Sequence, residues 1–470
     1  MQKNVISLLL AGVVGLSVYS CQKSSDIVTA PDSKTLSPST IVQNGNSEIL
    51  VVFKEGTQNS RRSGIISRTG ARMKRSVRTN AIRPGGKTDE IHVLEVSMPI
   101  QQAITELQNN PEVAIVEQNQ IYKPTQLNDT YFLSGSMWNM SQINEFGTQA
   151  ATLWEAGQTG SNTVYVGVID QGIDINHEDL KDNIGVNPFE IPNNGIDDDR
   201  NGYVDDIHGW DFANNDNTVY DAGGDVHGTA VAGIIGAKGG NGIGVAGVSW
   251  NVKIISAKFM GPAGGYTTDA VRAIDYFIAL KKKGVNIVAL NNSWSGSYST
   301  ILEAAIKRAN EANILFVAAA GNSASNNDVT PMYPANFAVP NVISVASINS
   351  AGALSYFSNY GSNKVLVAAP GEGLVTTTPG NNYRNASGTS FAAPHVTGAI
   401  ALYAAHYQTT SKIDTRNSGP SKKKDTGLIA AQIKNAILSA GVHTNALAGK
   451  VYFNKRLNVN NFKYVAGNYW

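Results

Sequence analysis

Cysteine is nearly absent from this sequence: Cys21 is the only one among 470 residues. No disulfide can form within the chain, and nothing downstream of residue 21 can act as a thiol nucleophile. An excess of charge is missing too. The 37 Lys and Arg balance 36 Asp and Glu to a formal +1, so no global field draws in a nucleic acid or an anionic membrane. The apolar stretch near the start, residues 5–19, falls short of the roughly 20 residues of a membrane-crossing helix. There is no internal repeat and no G-x-S-x-G nucleophile elbow, and no extra C-terminal binding module is expected.

What is present reads as globular material, 42% hydrophobic and 16% charged, enough for one large core and a smaller unit. Residues 49–53, 92–96 and 113–117 read as strands. Residues 99–109 read as a helix, with Pro99 at its start and Ile104 and Leu107 on its apolar side. Between the first two strands, residues 61–83 carry 8 Lys or Arg and no aromatic side chain. A solvated, protease-sensitive loop is expected there rather than a nucleic-acid surface, which needs rings for stacking. From about residue 128 the pattern changes. Apolar strand-like runs occur at 164–169, 252–259, 285–290, 314–319, 342–348 and 365–368, with helical periodicity between several of them. Residues 268–283 have Asp269 in the first turn, lysines in the last, and Gly284 as a stop. Strands buried on both faces and joined by helices imply an α/β fold with a mostly parallel sheet. Two late helices, 390–407 and 428–440, flank a polar, basic segment at 409–425 that reads as a surface loop.

Three motifs follow in the order Asp, His, Ser. Val168-Ile169-Asp170-Gln171-Gly172 ends the first of these strands, and open α/β sheets place their sites at such strand ends. Asp225-Val226-His227-Gly228-Thr229-Ala230 puts a histidine at the start of an apolar helix. Ser387-Gly388-Thr389-Ser390-Phe391-Ala392-Ala393-Pro394-His395 puts a serine at another helix start, with Pro394 expected in the first turn, where a missing N–H has no partner to lose. A serine hydroxyl needs a base to take its proton as it attacks a carbonyl. Histidine can do so and return the proton to the leaving amine, while a buried carboxylate fixes the imidazole tautomer. In Ala318-Ala319-Ala320-Gly321-Asn322 the Asn322 amide is suited to stabilise the developing oxyanion, with the Ser390 backbone N–H.

A fourth pattern points to metal. Asp197-x-Asp199-x-Asn201-Gly202-Tyr203-x-Asp205 carries oxygen ligands at alternate positions and a glycine at the turn, like the first part of an EF-hand loop without its terminal Glu. Asp197, Asp198, Asp199, Asp205 and Asp206 crowd together with only Arg200 to offset them, so structural Ca²⁺ is expected. A polar turn held by local Asx hydrogen bonds is the alternative. Gly242-Ile243-Gly244-Val245-Ala246-Gly247 matches G-x-G-x-x-G, but a helix precedes it and a strand follows, the reverse of dinucleotide binding. No organic cofactor is expected.

Over residues 46–460 these motifs resemble the subtilase family of serine endopeptidases. The resemblance implies a three-layer α/β/α peptidase domain over 125–470, with Asp170, His227 and Ser390 as triad and Asn322 as oxyanion donor. It also implies a small α+β, ferredoxin-like inhibitor propeptide over 46–124, removed by self-cleavage near residues 122–135. Substrate backbone and primary pocket fall to Ser293, Trp294, Ser295, Gly296, Ala320, Gly321 and Met332. Ser295 and Met332 stand where glycine is typical, so a modest apolar side chain is expected before the scissile bond. A second calcium site is implied at Asp179, Asn241, Ile243 and Val245. Gln171 replaces the usual Ser or Thr, so an amide must supply one hydrogen bond to Asp170. Ala230 replaces a second, non-catalytic histidine, and His177, His208 and His395 read as structural. Val18-Tyr19-Ser20-Cys21 resembles a bacterial lipobox. The implied precursor has a signal peptide over 1–20 and, over 21–45, a polar tether acylated at Cys21 that holds an exported, monomeric enzyme at the cell envelope. Its partners are protein or peptide substrates and its own propeptide. The rival reading is an inactive relative that only binds peptides or acts as a scaffold.

Overall fold

Alternation with period two puts Ile49, Val51 and Phe53 on one face of strand β1 (Glu48–Phe53), none more than 3% exposed. That face is the floor of the first of two compact units in this computed structural model. It describes residues 48–80, 88–119, 127–221, 224–413 and 429–464, and the units divide between residues 124 and 125. The expected signal peptide, Cys21, the tether and most of segment 409–425 lie outside the described residues.

In the first unit β1 is followed by α1 (Asn59–Arg68), β2 (Arg72–Asn80), β3 (Thr88–Glu95), α2 (Ile100–Gln108) and β4 (Val113–Gln118). The sheet order is β2-β3-β1-β4, every pair antiparallel. This is the ferredoxin-like split βαβ arrangement. Ala103 and Leu107 of α2 pack on β1 together with Ile65 and Ile66 of α1. Residues 61–83, expected as a loop, therefore hold most of α1 and all of β2. The basic residues conceal both elements because they lie outward and pair with carboxylates: Arg61 with Glu112 at 2.6 Å, Lys74 with Glu48 at 2.7 Å, and Arg72 with Glu95.

The second unit opens with the short helices α3 (Thr130–Leu133) and α4 (Ala150–Glu155), then β5 (Gly160–Asp170), β6 (Gly209–Asp211), α5 (His227–Gly236) and β7 (Asn251–Lys258). A small hairpin, β8 (Met260–Gly261) and β9 (Gly264–Gly265), precedes α6 (Thr267–Lys283), β10 (Ile287–Asn292), α7 (Thr300–Glu311), β11 (Leu315–Ala319), β12 (Val342–Ile348) and β13 (Val367–Pro370). The hairpin of β14 (Leu374–Thr378) and β15 (Asn382–Ala386) leads into α8 (Thr389–Ile413). After it come α9 (Ala430–Ala440), β16 (Val442–His443) and β17 (Lys455–Arg456). Nine strands form one sheet in the order β16-β17-β13-β12-β11-β10-β5-β7-β6, parallel except at the β16–β17 edge.

Every residue of β10, β11 and β12 is buried, because helices cover both faces of the sheet. Val164, Val166 and Val168 of β5 face a core built with α5, α8 and α9. Ile169 belongs to the opposite core, under α6 and α7. A Cβ at Gly167 would stand 2.5 Å from Phe277 of α6, so only glycine lets that helix seat on β5. The signals read for α6 hold, and Gly284 closes it with a left-handed φ of 112°.

Candidate active site

The parallel strands deliver their C-terminal ends to one edge of the sheet. Asp170 is the last residue of β5 and fully buried, and His227 is the first residue of α5. A Cβ at Gly228 would lie 2.2 Å from the Gly172 carbonyl oxygen. That glycine lets the first turn of α5 press against the turn after β5, bringing the imidazole to the carboxylate. His227 Nδ1 stands 2.8 Å from Asp170 Oδ1 and 3.0 Å from Oδ2. An ionised carboxylate can only accept, so Nδ1 carries the proton and Nε2 is left as the base. Burial of the ring disfavours its charged form, yet attraction to Asp170 outweighs it and holds the His227 pKa above the usual 6.5, with nearby Arg384 opposing. The amide that reaches Asp170 is the Gln171 backbone N–H, at 2.7 Å. The Gln171 side chain does not touch Asp170; its Oε1 accepts the His227 N–H at 3.2 Å and so fixes the start of α5.

Ser390 is the second residue of α8 and half-buried. The His227 ring lies 5.4 Å from that of Phe391, its neighbour in sequence. The Ser390 hydroxyl donates to the Ser293 carbonyl at 3.1 Å, not to His227, so one link of the expected triad is unmade while the Asp170–His227 link is in place. Pro394 departs from the expectation. Because α8 starts at Thr389, Pro394 is its sixth residue, and an N–H there would have met the Ser390 carbonyl four residues back. Its absence leaves that carbonyl without a helical partner, and Ser293 Oγ supplies one at 2.7 Å.

Asn322 follows β11 and is exposed. Its Oδ1 accepts both the Thr389 N–H and the Thr389 hydroxyl, each at 2.8 Å, while Thr389 Oγ1 accepts the Gly321 N–H at 3.1 Å. With the oxygen committed, the amide turns Nδ2 toward Gly388, where a Cβ would be 3.5 Å away. The donor thus sits beside the start of α8, next to Ser390, with its orientation set by a residue sequence reading missed.

The expected substrate residues converge on the same edge. Ser293, Trp294, Ser295 and Gly296 continue from β10, and the Gly296 N–H donates to the Tyr333 carbonyl at 2.8 Å. Ala320 and Gly321 leave β11. A Cβ at Gly321 would stand 3.2 Å from Met332 Cγ, so the methionine lies against the glycine as a pocket base would. The histidines expected to be structural, His177, His208 and His395, each have hydrogen-bond partners. His395 is fully buried between Asn139 and the Phe391 carbonyl, each at 2.8 Å, and burial pushes its pKa down to about 4. His177 and His208 bond the backbone carbonyls of Asn382 and Gly185.

The acidic loop is organised differently from the EF-hand register. Asp197 accepts the N–H groups of Asn201 and Gly202, at 3.0 and 2.8 Å. Asp205 turns back to the N–H groups of Asn194 and Gly195, at 3.1 and 3.0 Å. Asn201 accepts the Tyr203 N–H at 2.8 Å. These bonds engage the oxygens of Asp197, Asn201 and Asp205 with backbone N–H groups, only the last being an Asx turn; Asn201 Nδ2 donates to Asp206 at 3.1 Å, and Tyr203 packs its ring on Trp210 at 5.1 Å. Of the expected carboxylates only Asp199 stays in a cluster, joined by Glu190 and Asp206, with one oxygen of each within 4.8 Å of the others. Glu190 Oε2 is buried without a hydrogen-bond partner, and Asp206 is fully buried. Burial pushes the Asp206 pKa up to about 7, and neighbouring Asp199 adds to it. Among the described residues Lys283, 3.0 Å from Asp199, is the cation paired with the group, and Asn187 Nδ2 donates to Asp199 at 3.1 Å and to Asp206 at 3.0 Å. Three carboxylates this close together, with one paired cation, offer the hard oxygens that a divalent cation takes.

The second expected set, with the Ile243 and Val245 N–H groups, is also engaged in hydrogen bonds. Asp179 is fully buried, but its oxygens accept from Asn241 Nδ2 at 2.8 Å, the Val245 N–H at 2.9 Å and the Tyr383 hydroxyl at 3.3 Å. The Asn241 oxygen faces the Ile243 N–H at 3.1 Å. Burial pushes the Asp179 pKa up to about 7, and neighbouring Asp129 adds to it. Asp129, which sequence reading missed, holds the same loop through the Gly240 N–H at 2.9 Å.

Comparison with known proteins agrees with this geometry. The model of the subtilase family matches residues 161–442. Subtilisin-like protease 2 of Plasmodium falciparum (isolate 3D7) is 37% identical over 273 residues, covering 57% of this chain and 18% of that protein. Subtilisin-like protease 1 of the same isolate is 39% identical over 256 residues, 50% of this chain and 36% of that one. This chain therefore spans well under two thirds of the length of either relative. A thermophilic serine proteinase of Bacillus sp. (strain AK1) is 30% identical over 409 residues, covering 86% of this chain and 89% of the relative. A crystal structure of a cold adapted subtilisin-like serine proteinase superposes with a TM-score of 0.50 at 25% identity, over 69% of this chain and 98% of that one. Matched by the family model over more than half its length and by a relative nearly end to end, this chain belongs to the subtilase family.

Proposed function

We propose that this subtilase is a serine endopeptidase working through an acyl-enzyme on Ser390. His227 Nε2 takes the hydroxyl proton during attack and returns it to the leaving amine. Asp170 holds the tautomer and stabilises the imidazolium. Asn322 Nδ2 and the Ser390 N–H stabilise the oxyanion, and a donor preset at the site needs no reorganisation as charge develops. The observation that carries this reading is the preformed Asp170–His227 pair beside the start of α8. Attack by Ser390 then requires only that its hydroxyl leave the Ser293 carbonyl for Nε2, and catalytic hydrogen bonds commonly tighten when substrate binds. A modest apolar side chain fills the pocket over Met332.

Residues 46–124 act as inhibitor propeptide, freed by cleavage near 122–135. Cys21 carries the lipid that keeps the exported protein at the cell envelope. Glu190, Asp199 and Asp206 hold a structural Ca²⁺, which stabilises the fold by mass action and takes no part in the chemistry.

Expression of wild type beside Ser390→Ala tests the proposal. Wild type should release residues 46–124 and react with a fluorophosphonate probe; the variant should do neither. Labelling that persists in Ser390→Ala would refute the assignment. For the anchor, Cys21→Ala should appear in the soluble fraction.

A further inference from the structure

The Ser390 carbonyl is the acceptor that Pro394 leaves without a helical donor, and its replacement donor is the last member of a buried chain. Ser390, Pro394 and Thr397 share one face of α8 at i, i+4 and i+7. The Thr397 hydroxyl donates to Asn291 Oδ1 at 3.0 Å, the nearer of its two acceptors, the Ala393 carbonyl standing 3.4 Å away. Asn291 Nδ2 donates to Ser293 Oγ at 2.9 Å, and Ser293 Oγ donates to the Ser390 carbonyl at 2.7 Å. Asn291 and Thr397 are fully buried and Ser293 is 4% exposed, so water offers no substitute. We propose that Thr397, Asn291 and Ser293 are positioning residues that act through this chain to fix the backbone of the nucleophile. The proposal rests on the reading of Ser390 as the nucleophile and deepens it.

The chain has a direction, and Thr397 sets it. A hydroxyl has one proton to give. With the Asn291 oxygen held by Thr397, the amide presents Nδ2 to Ser293, and the Ser293 proton is free for Ser390. Were the amide flipped, its oxygen would face Ser293 and draw that proton away. The Ser390 carbonyl would then be buried without a partner, at the residue whose side chain must move between Ser293 and His227. Replacing Thr397 by valine keeps shape and removes the proton that sets the direction. Replacing Pro394 by alanine restores an N–H four residues after Ser390 and makes the chain unnecessary.

The experiment uses the full-length chain and reads kcat, KM and the fluorophosphonate labelling rate, with a melting curve for each variant. Ser293→Ala should lower kcat and labelling about tenfold, the fold-change for loss of one typical hydrogen bond, with KM within about twofold. Thr397→Val should lose severalfold, and Thr397→Ser should regain the wild-type rate. In a Pro394→Ala background, both Ser293→Ala and Thr397→Val should fall within about twofold of Pro394→Ala alone, a non-additivity that bulk destabilisation cannot produce. Equal losses in the two backgrounds, a Thr397→Ser variant as slow as Thr397→Val, or lowered melting with unchanged labelling would each overturn the proposal. Should Ser293→Ala not fold, the Thr397 pair carries the same test. Activity surviving in Ser390→Ala would instead sink the reading beneath it.

Discussion

Thr389→Val isolates how the oxyanion donor is aimed. In the native site Asn322 Oδ1 accepts two hydrogen bonds of 2.8 Å, one from the Thr389 hydroxyl and one from its N–H. Valine removes the first, keeps the second and preserves volume. The loss of one neutral hydrogen bond is worth about 1 kcal/mol. The Asn322 amide then divides its time between the productive orientation and others, and kcat should fall roughly five- to tenfold. Asn322→Ala, which deletes the donor, should cost about 10² to 10³, the range typical of subtilases. KM should hardly move in either, since the donor acts on charge present only in the transition state. Valine also strands the buried Gly321 N–H that Thr389 Oγ1 accepts, so stability should drop by about 1–3 kcal/mol. The decisive measurement is the double variant. If Thr389 acts on turnover by aiming Asn322, Asn322→Ala with Thr389→Val turns over no more slowly than Asn322→Ala alone. A further five- to tenfold fall in the double variant would refute the aiming argument.

Because Asp170 raises the His227 pKa, the base is protonated at low pH and kcat/KM should rise with pH through a value above 6.5. Removing the opposing charge in Arg384→Gln should move that limb higher still, as a pH–rate profile reads out. The same raised pKa means the ion pair stabilises the fold fully below pH 6.5 and loses that contribution as pH climbs through the folded value. Calcium at a hundredfold excess over its Kd should add about 2.7 kcal/mol to stability. Asp206→Asn should abolish this response, which melting with and without calcium reads out. Met332→Gly should raise kcat/KM for Phe over Ala before the scissile bond by about tenfold, since a methylene or two in an apolar pocket is worth 1–3 kcal/mol; a peptide library measures it.

Much of the fold was legible because burial wrote it locally. β5, β10 and β12 are apolar on both faces, and α6 carries its own start and stop in Asp269 and Gly284. The Asp170, His227 and Ser390 motifs were legible for the same reason, each a short string at the end of one element. What escaped depends on partners far away in sequence. β2 shows no buried alternation because an edge strand is held mainly by its backbone ladder to β3. Nothing near Glu190 says it will meet Asp206, and nothing near Asn322 says that Thr389 will turn its amide. Pro394 was misread for a related reason. Its cost depends on which residue begins α8, and its remedy, Ser293, lies just past the end of β10.

The two hydrogen bonds between Ser293 and Ser390 belong to different tasks. The one from Ser293 Oγ to the Ser390 carbonyl holds backbone and has no reason to break during turnover. The one from the Ser390 hydroxyl to the Ser293 carbonyl occupies the proton that His227 must take. A hydroxyl rotor exchanges acceptors on the ps–ns scale, and two neutral acceptors differ by about a kilocalorie per mole at most, so the unmade triad link is no barrier. On the proposed reading, the strand leaving β10 pairs with extended substrate, and a substrate N–H taking the Ser293 carbonyl would displace the hydroxyl toward Nε2. Substrate would then complete the triad by competing for one acceptor, while Asp170, His227, Thr389 and Asn322 stay where the fold has put them.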